Sequence, residues 1–263
     1  GGMLLSLWAI ATGRIRTLWR GPFHRVAPWT YGELARILSL GLFFFALVPF
    51  VRVTVMIAWP AMPQDPFFWV TVSMLALDVL MLLSVLAFAA TKARSWRAAL
   101  GLTRQKFWGS LGVGFRGYVA AFPWLFGLLF VIVWIARRFD WQPPIQPIHQ
   151  LLFTDQSPMV LALTVLLACV IGPITEEALF RGVLFGAIRR RSSRWVALLA
   201  SGAIFSAIHT NLVGFLPIMA LGCVLADLYE RTGSLISPIA VHILHNTFLL
   251  HLALVFHAIS QAS

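Results

Sequence analysis

Seven stretches of this chain are apolar for long enough to cross a bilayer. They run approximately Leu34–Trp59, Phe67–Ala90, Leu111–Ala136, Pro158–Ile188, Trp195–His209, Leu212–Leu228 and Leu235–His257. A helix spans the hydrocarbon core with about 20 such residues. The fifth and sixth runs are short, at fifteen and seventeen residues, which leaves them little tilt or a place partly inside the protein. The expected architecture is an all-α, polytopic transmembrane bundle of about 7–8 spanning helices.

Composition agrees. Of 263 residues, 60% are apolar and only 11% are Asp, Glu, Lys or Arg, whereas a soluble domain carries roughly a quarter charged residues. A soluble enzyme, a disordered tail and a disulfide-rich secreted domain are excluded. Cys169 and Cys223 both lie in apolar runs and read as small hydrophobes. The net charge of +11 sits in clusters between the runs: Arg14, Arg16, Arg20 and Arg25; Lys92, Arg94, Arg97, Arg104 and Lys106; Arg189, Arg190, Arg191 and Arg194. Short basic loops beside spanning segments are retained in the cytoplasm and attract anionic headgroups. The charge therefore points to the lipid bilayer as partner and not to nucleic acid. On this topology the turn around Arg231 is also cytoplasmic, and the loops near 60–66, 137–157 and 210–214 face out.

Residues 1–33, rich in Trp and Arg (Trp8, Trp19, Trp29), are expected to form an interfacial or partly inserted lead-in, with room for an eighth span. The short apolar stretch Met3–Ala11 has no basic residue before it and does not read as a cleavable signal. Residues 34–263 form a single bundle, without repeat, low-complexity tract or linker.

A charge inside a spanning helix costs at least ~2.5–3.5 kcal/mol and asks for a partner or a function. Most such groups here fall late in the chain: Glu176, Glu177 and Arg181 in the fourth run, His209 at the end of the fifth, and His242, His245 and Asn246 in the seventh. Glu177 and Arg181 are four apart on one helical face and can pair. Glu176, turned about 100° away, cannot easily share that partner. A carboxylate left alone in an apolar setting is suited to general acid or base work. His242 and Asn246 also share a face. With a rise of about 1.5 Å per residue, Glu176 and His242 lie about 12–18 Å, and His209 about 20 Å, from the cytoplasmic helix ends. The three can therefore meet near mid-membrane. Asp78, Asp227 and Arg52 read as helix-packing groups or as residues near helix ends that reach water, and His251 and His257 as interfacial.

Glu176-Glu177-x-x-x-Arg181, Phe205-x-x-x-His209 and His242-x-x-x-Asn246 resemble, in order and spacing, the three motifs of the CPBP intramembrane protease family. This is also called the CAAX protease or Abi, bacteriocin-processing family, and is related to the Ras-converting prenyl-protein endopeptidase. The flanks agree: Pro173 before the acids, Phe180-Arg181-Gly182 after them, and Thr232-Gly233-Ser234-Leu235 leading to Pro238 and His242. The likeness covers about residues 155–250.

The resemblance implies an intramembrane endopeptidase acting on a membrane-associated protein or peptide. Glu176 would activate water with His209, His242 and Asn246 would stabilise the oxyanion, and Glu177 with Arg181 would support them. It implies a glutamate-type mechanism without a cofactor. The alternative is a zinc site on Glu176, His209 and His242, with an open position for water. A non-catalytic scaffold or bacteriocin-immunity protein is the competing function. A composition rich in Ala and Arg and poor in Lys suggests a bacterial chain, with an inner or plasma membrane as the expected location.

Overall fold

The structure is a computed structural model that describes residues 29–63, 65–102, 107–141, 157–209 and 212–262. Among these residues every regular element is helical. Helix α1 spans Tyr31–Ala58, α2 Pro66–Ala90, and the short α3 Trp96–Ala99. Helix α4 spans Phe107–Arg138 and α5 Pro158–Arg189. Then come α6 Arg194–Ala207, α7 Phe215–Thr232 and α8 Ile236–Ala262. The seven long helices coincide with the seven expected spans, and the chain is a multi-pass membrane protein. By length and composition five are able to cross a bilayer: α1, α2, α4, α5 and α8. Helix α6 is too short, and α7 carries Asp227, Glu230 and Arg231 in its last turns. The N-terminal lead-in up to residue 28, with the expected eighth span, and most of the 137–157 loop lie outside the described residues.

The helix starts follow from local chemistry. Thr30 caps α1 in a capping box with Glu33: the Thr30 hydroxyl accepts from the Glu33 amide, and the Glu33 carboxylate accepts from the Thr30 amide at 2.9 Å. Asp65 caps α2 ahead of Pro66, and Ser157 caps α5 ahead of Pro158, where a missing N–H costs nothing. Helix α7 stops at Gly233, whose φ of 58° suits a residue without Cβ.

Helix α5 is not uniform. Its backbone is π-helical over Leu167–Ile171 and again over Ala178–Phe185, with an α-helical stretch Gly172–Glu177 between them. Pro173 sits just after the first π stretch and has no N–H to give. Single π turns inside α-helices are frequent at functional sites.

Packing places α5 at the centre. Its Gly172–Glu177 stretch lies against α2 and α8, and its second π stretch against α2, α6 and α7. Helix α6 packs on α7, α1 on α2, and α4 on both α7 and α8. The main core joins Phe180, Val183 and Phe185 of α5 to Val85 and Ala89 of α2, Phe205 of α6 and Tyr229 of α7. Many large apolar side chains point outward instead, among them Leu42, Phe45 and Phe50 of α1 and Phe130 and Trp134 of α4. In a bilayer that surface meets acyl chains.

The basic clusters do more than flank spans. Glu230 accepts from Arg189 Nε at 2.7 Å and from Arg194 Nε at 3.2 Å. Asp227 pairs with Arg194 and accepts from Arg231 Nε at 2.6 Å. This network ties the ends of α5, α6 and α7 together, so Asp227 belongs to a helix end. Lys92 similarly pairs with Glu33 across α1 and the end of α2.

Candidate active site

The site is built around the middle of α5. Glu177 and Arg181 are fully buried and make the expected pair, with Arg181 Nη1 donating to Glu177 Oε1 at 2.8 Å. The guanidinium lies 4.3 Å from the centre of the Phe205 ring, and its Nη2 donates to the Gly222 carbonyl at 3.3 Å. Arg181 thereby joins α5 to α6 and α7.

Glu177 has a second role that its spacing does not reveal. The same Oε1 accepts from Nδ1 of His242 on α8, also at 2.8 Å. A carboxylate only accepts here, so Nδ1 carries the hydrogen. In neutral His242 the other nitrogen, Nε2, is then a lone pair; it can donate only from the imidazolium. That Nε2 lies 3.7 Å from Glu176 Oε2. Glu176 keeps clear of Arg181's hydrogen bonds, and its buried Oε2 has no hydrogen-bond partner among the described residues.

His209 stands just past the C-terminal end of α6. Its Nδ1 donates to the Phe205 carbonyl at 2.7 Å, which leaves Nε2 of the neutral ring as an acceptor. Phe205 links the two imidazoles, its ring centre lying 4.7 Å from that of His209 and 5.8 Å from that of His242. No hydrogen bond joins His209 to Glu176 among the described residues. Three of the four expected groups are thus in one neighbourhood, with Phe205 as the unforeseen connector.

Asn246 is held by the irregular backbone. In a regular helix the carbonyl of Ala168 would accept from the Gly172 amide, but that amide donates to Leu167 instead. The next residue, Pro173, has no N–H. The Ala168 carbonyl is left without a helical donor, and Asn246 Nδ2 supplies one at 2.9 Å. A primary amide carries two N–H groups, so one remains for other use.

Two residues read as packing groups or left without a role also touch this region. His245, buried on α8, is joined through Nδ1 to the Tyr118 hydroxyl of α4 at 2.9 Å. Asp78 lies at the centre of α2 beside Glu176 and not near a helix end. Among the described residues no three His, Cys, Asp or Glu side chains are grouped so as to hold a metal ion.

Comparison with known proteins agrees with this region in extent. Residues 158–248 match the family model described as type II CAAX prenyl endopeptidase Rce1-like. The matched segment is similar to the Rce1-like family over about a third of the chain. It holds Glu176, Glu177, Arg181, His209, His242 and Asn246, and it stops short of α1, α2 and α4. Among curated relatives, "Putative membrane peptidase YdiL" of Bacillus subtilis (strain 168) is 37% identical over 86 residues, 33% of this chain and 35% of that protein. "Uncharacterized 24.3 kDa protein" of Escherichia coli is 29% identical over 128 residues, 46% of this chain and 58% of the relative. "UPF0177 protein YxdF" of Lactococcus lactis subsp. lactis (strain IL1403) is 32% identical over 80 residues, 30% of this chain and 44% of the relative. The matched stretches thus span between about a third and three fifths of the relatives' own length. No solved structure matches the chain.

Proposed function

We propose that this protein is an intramembrane endopeptidase, hydrolysing a peptide bond of a membrane-associated protein or peptide. The observation that carries the reading is the division of labour between adjacent acids. Each acid keeps one buried oxygen without a hydrogen-bond partner among the described residues. Glu177, however, is committed through Oε1 to Arg181 and His242, while Glu176 makes no hydrogen bond among those residues and faces His242 Nε2 at 3.7 Å. A half-buried base of this kind takes a proton from water as the oxygen adds to the scissile carbonyl carbon. His209, whose Nε2 carries a lone pair in the neutral ring, assists Glu176.

The tetrahedral oxyanion needs donors. The spare N–H of Asn246 is one, and His242 is the other, as an imidazolium whose Nδ1–H rests on Glu177. Buried donors of this kind contribute ~2.7–4 kcal/mol each to the barrier. Protonated Glu176 then passes its proton to the departing amine as the C–N bond breaks. Glu177 and Arg181 hold His242 in register. In this reading Glu176, and not a metal ion, supplies the base. The basic ends of α5, α6 and α7 face the cytoplasm in this reading, of a bacterial inner or plasma membrane.

The test is a comparison of protein termini in membrane and secreted fractions between wild-type cells and cells carrying Glu176→Ala or His209→Ala. Both variants should insert normally, and each should lose the same set of termini, with cleavage down about 10²–10⁴-fold. Unchanged termini in both would remove the peptidase reading in favour of a non-catalytic scaffold or immunity protein. Cleavage by the purified protein should also withstand a chelator.

A further inference from the structure

Asp78 is the one charged residue in α2, twelve residues into a helix of 25. A carboxylate at that depth costs at least ~2.5–3.5 kcal/mol, and intramembrane acids are rare unless they have a partner or a function. Asp78 has no cation against it: no ion pair or side-chain hydrogen bond to its carboxylate is found among the described residues. What it faces is the candidate base. A methyl group placed on Gly172 would lie 2.9 Å from the Leu167 carbonyl oxygen, 3.7 Å from Asp78 Oδ2 and 3.9 Å from Glu176 Oε1, so both carboxylates and that carbonyl border the side of the helix that glycine leaves without a side chain. Glu176 thus turns Oε2 toward His242 and Oε1 toward Asp78.

The placement is held on both sides. Thr175 Oγ1 donates to the backbone carbonyl of Asp78 at 3.2 Å, stitching α2 to α5 one residue before Glu176. Thr71 and Thr164, both fully buried, join the same two helices at 3.3 Å. Neither stitch uses the Asp78 carboxylate, which is left facing the site.

We propose that Asp78 is a positioning residue of the peptidase site, a second carboxylate beside Gly172 that holds the attacking water against Glu176. The inference rests on the reading of Glu176 as the base. Water has two O–H groups. With one directed at Glu176 Oε1 and the other at Asp78 Oδ2, the oxygen lone pairs point away from both acids, toward the scissile carbonyl. Glu176 takes its proton as the C–O bond forms, and Asp78 keeps the second O–H, which stays on the tetrahedral intermediate. Asp78 neither gains nor loses a proton. The family match begins at residue 158, so α2 and Asp78 lie outside it.

The test uses the full chain in lipid nanodiscs and a synthetic peptide copied from the strongest Glu176-dependent site found in cells. Asp78→Ala and Asp78→Leu should lower kcat by about 10–100-fold, the scale on which misplaced reacting groups slow catalysis. KM should stay within about twofold of wild type. Asp78→Asn, which keeps an acceptor oxygen, should recover most of the lost rate. All three should show wild-type thermal stability. Wild-type kcat in the Ala and Leu variants overturns the inference while leaving the function standing. So does a loss that tracks the amount of folded protein, or one that Asn does not rescue. If Glu176→Ala depletes no termini, both readings fall together.

Discussion

Helices α1 and α5 look alike along the chain and opposite in space. They have 28 and 32 residues, and the most apolar stretch of each has a mean hydropathy of 2.2. None of that stretch is buried within the protein in α1, whereas 39% of it is in α5. Helix α1 keeps its charges, Glu33, Arg36 and Arg52, towards its ends and turns Leu42, Phe45 and Phe50 outward. Helix α5 carries Thr164, Thr175, Glu177 and Arg181 buried along its length. Hydropathy reports that a segment prefers hydrocarbon to water. It does not distinguish lipid from protein, because both are apolar. Buried polar groups make that distinction, since they survive only where other polar groups answer them.

Substitutions can break this contrast or sharpen it. The largest stability effect is expected at Arg181. Arg181→Met leaves Glu177 buried with one fewer partner, and removing one member of a buried ion pair costs about 3–5 kcal/mol. Thermal unfolding in detergent should show it, and Glu177→Gln combined with Arg181→Met should recover part of the loss. Wild-type unfolding of the single variant would mean that α5 is no more an interior helix than α1. A smaller effect is expected at Asn246. Asn246→Ala leaves the Ala168 carbonyl without a donor, and an unsatisfied buried acceptor costs about 1–3 kcal/mol. Hydrogen exchange should accelerate in the π stretch Leu167–Ile171 and leave α1 unchanged. The smallest effect belongs to α1: Phe45→Leu, on a side chain 68% exposed, should shift stability by less than about 0.5 kcal/mol. A large loss there would show that α1 is covered by protein after all.

The Glu177–Arg181 pair was legible because helical spacing alone brings positions four apart together. Other contacts were not. The bond from Glu177 to His242 crosses 65 residues, and Asp78 meets Glu176 across 98. A local reading placed Asp78 among packing groups because an isolated acid in an apolar run has no visible partner. Asn246 is similar. Its partner is a carbonyl freed by Pro173 and a π turn, and π turns leave no periodicity to read. Arg189, Arg194 and Arg231 were legible as loop charge, which sets topology, but their pairing with Asp227 and Glu230 needed three helix ends in one place.

By itself the sequence determined that the chain lives in a bilayer, where its seven long helices lie, and which few polar side chains have to be explained. Those conclusions rest on short-range physics: the length of an apolar run, the rise of a helix and the cost of a charge in hydrocarbon. Only the tertiary structure decided which of those side chains share a space. It committed Glu177 to Arg181 and His242, linked His209 through Phe205, and set Asp78 opposite Glu176. Each of these depends on how helices far apart in sequence cross, which is settled by packing over whole helix faces and not by any one segment.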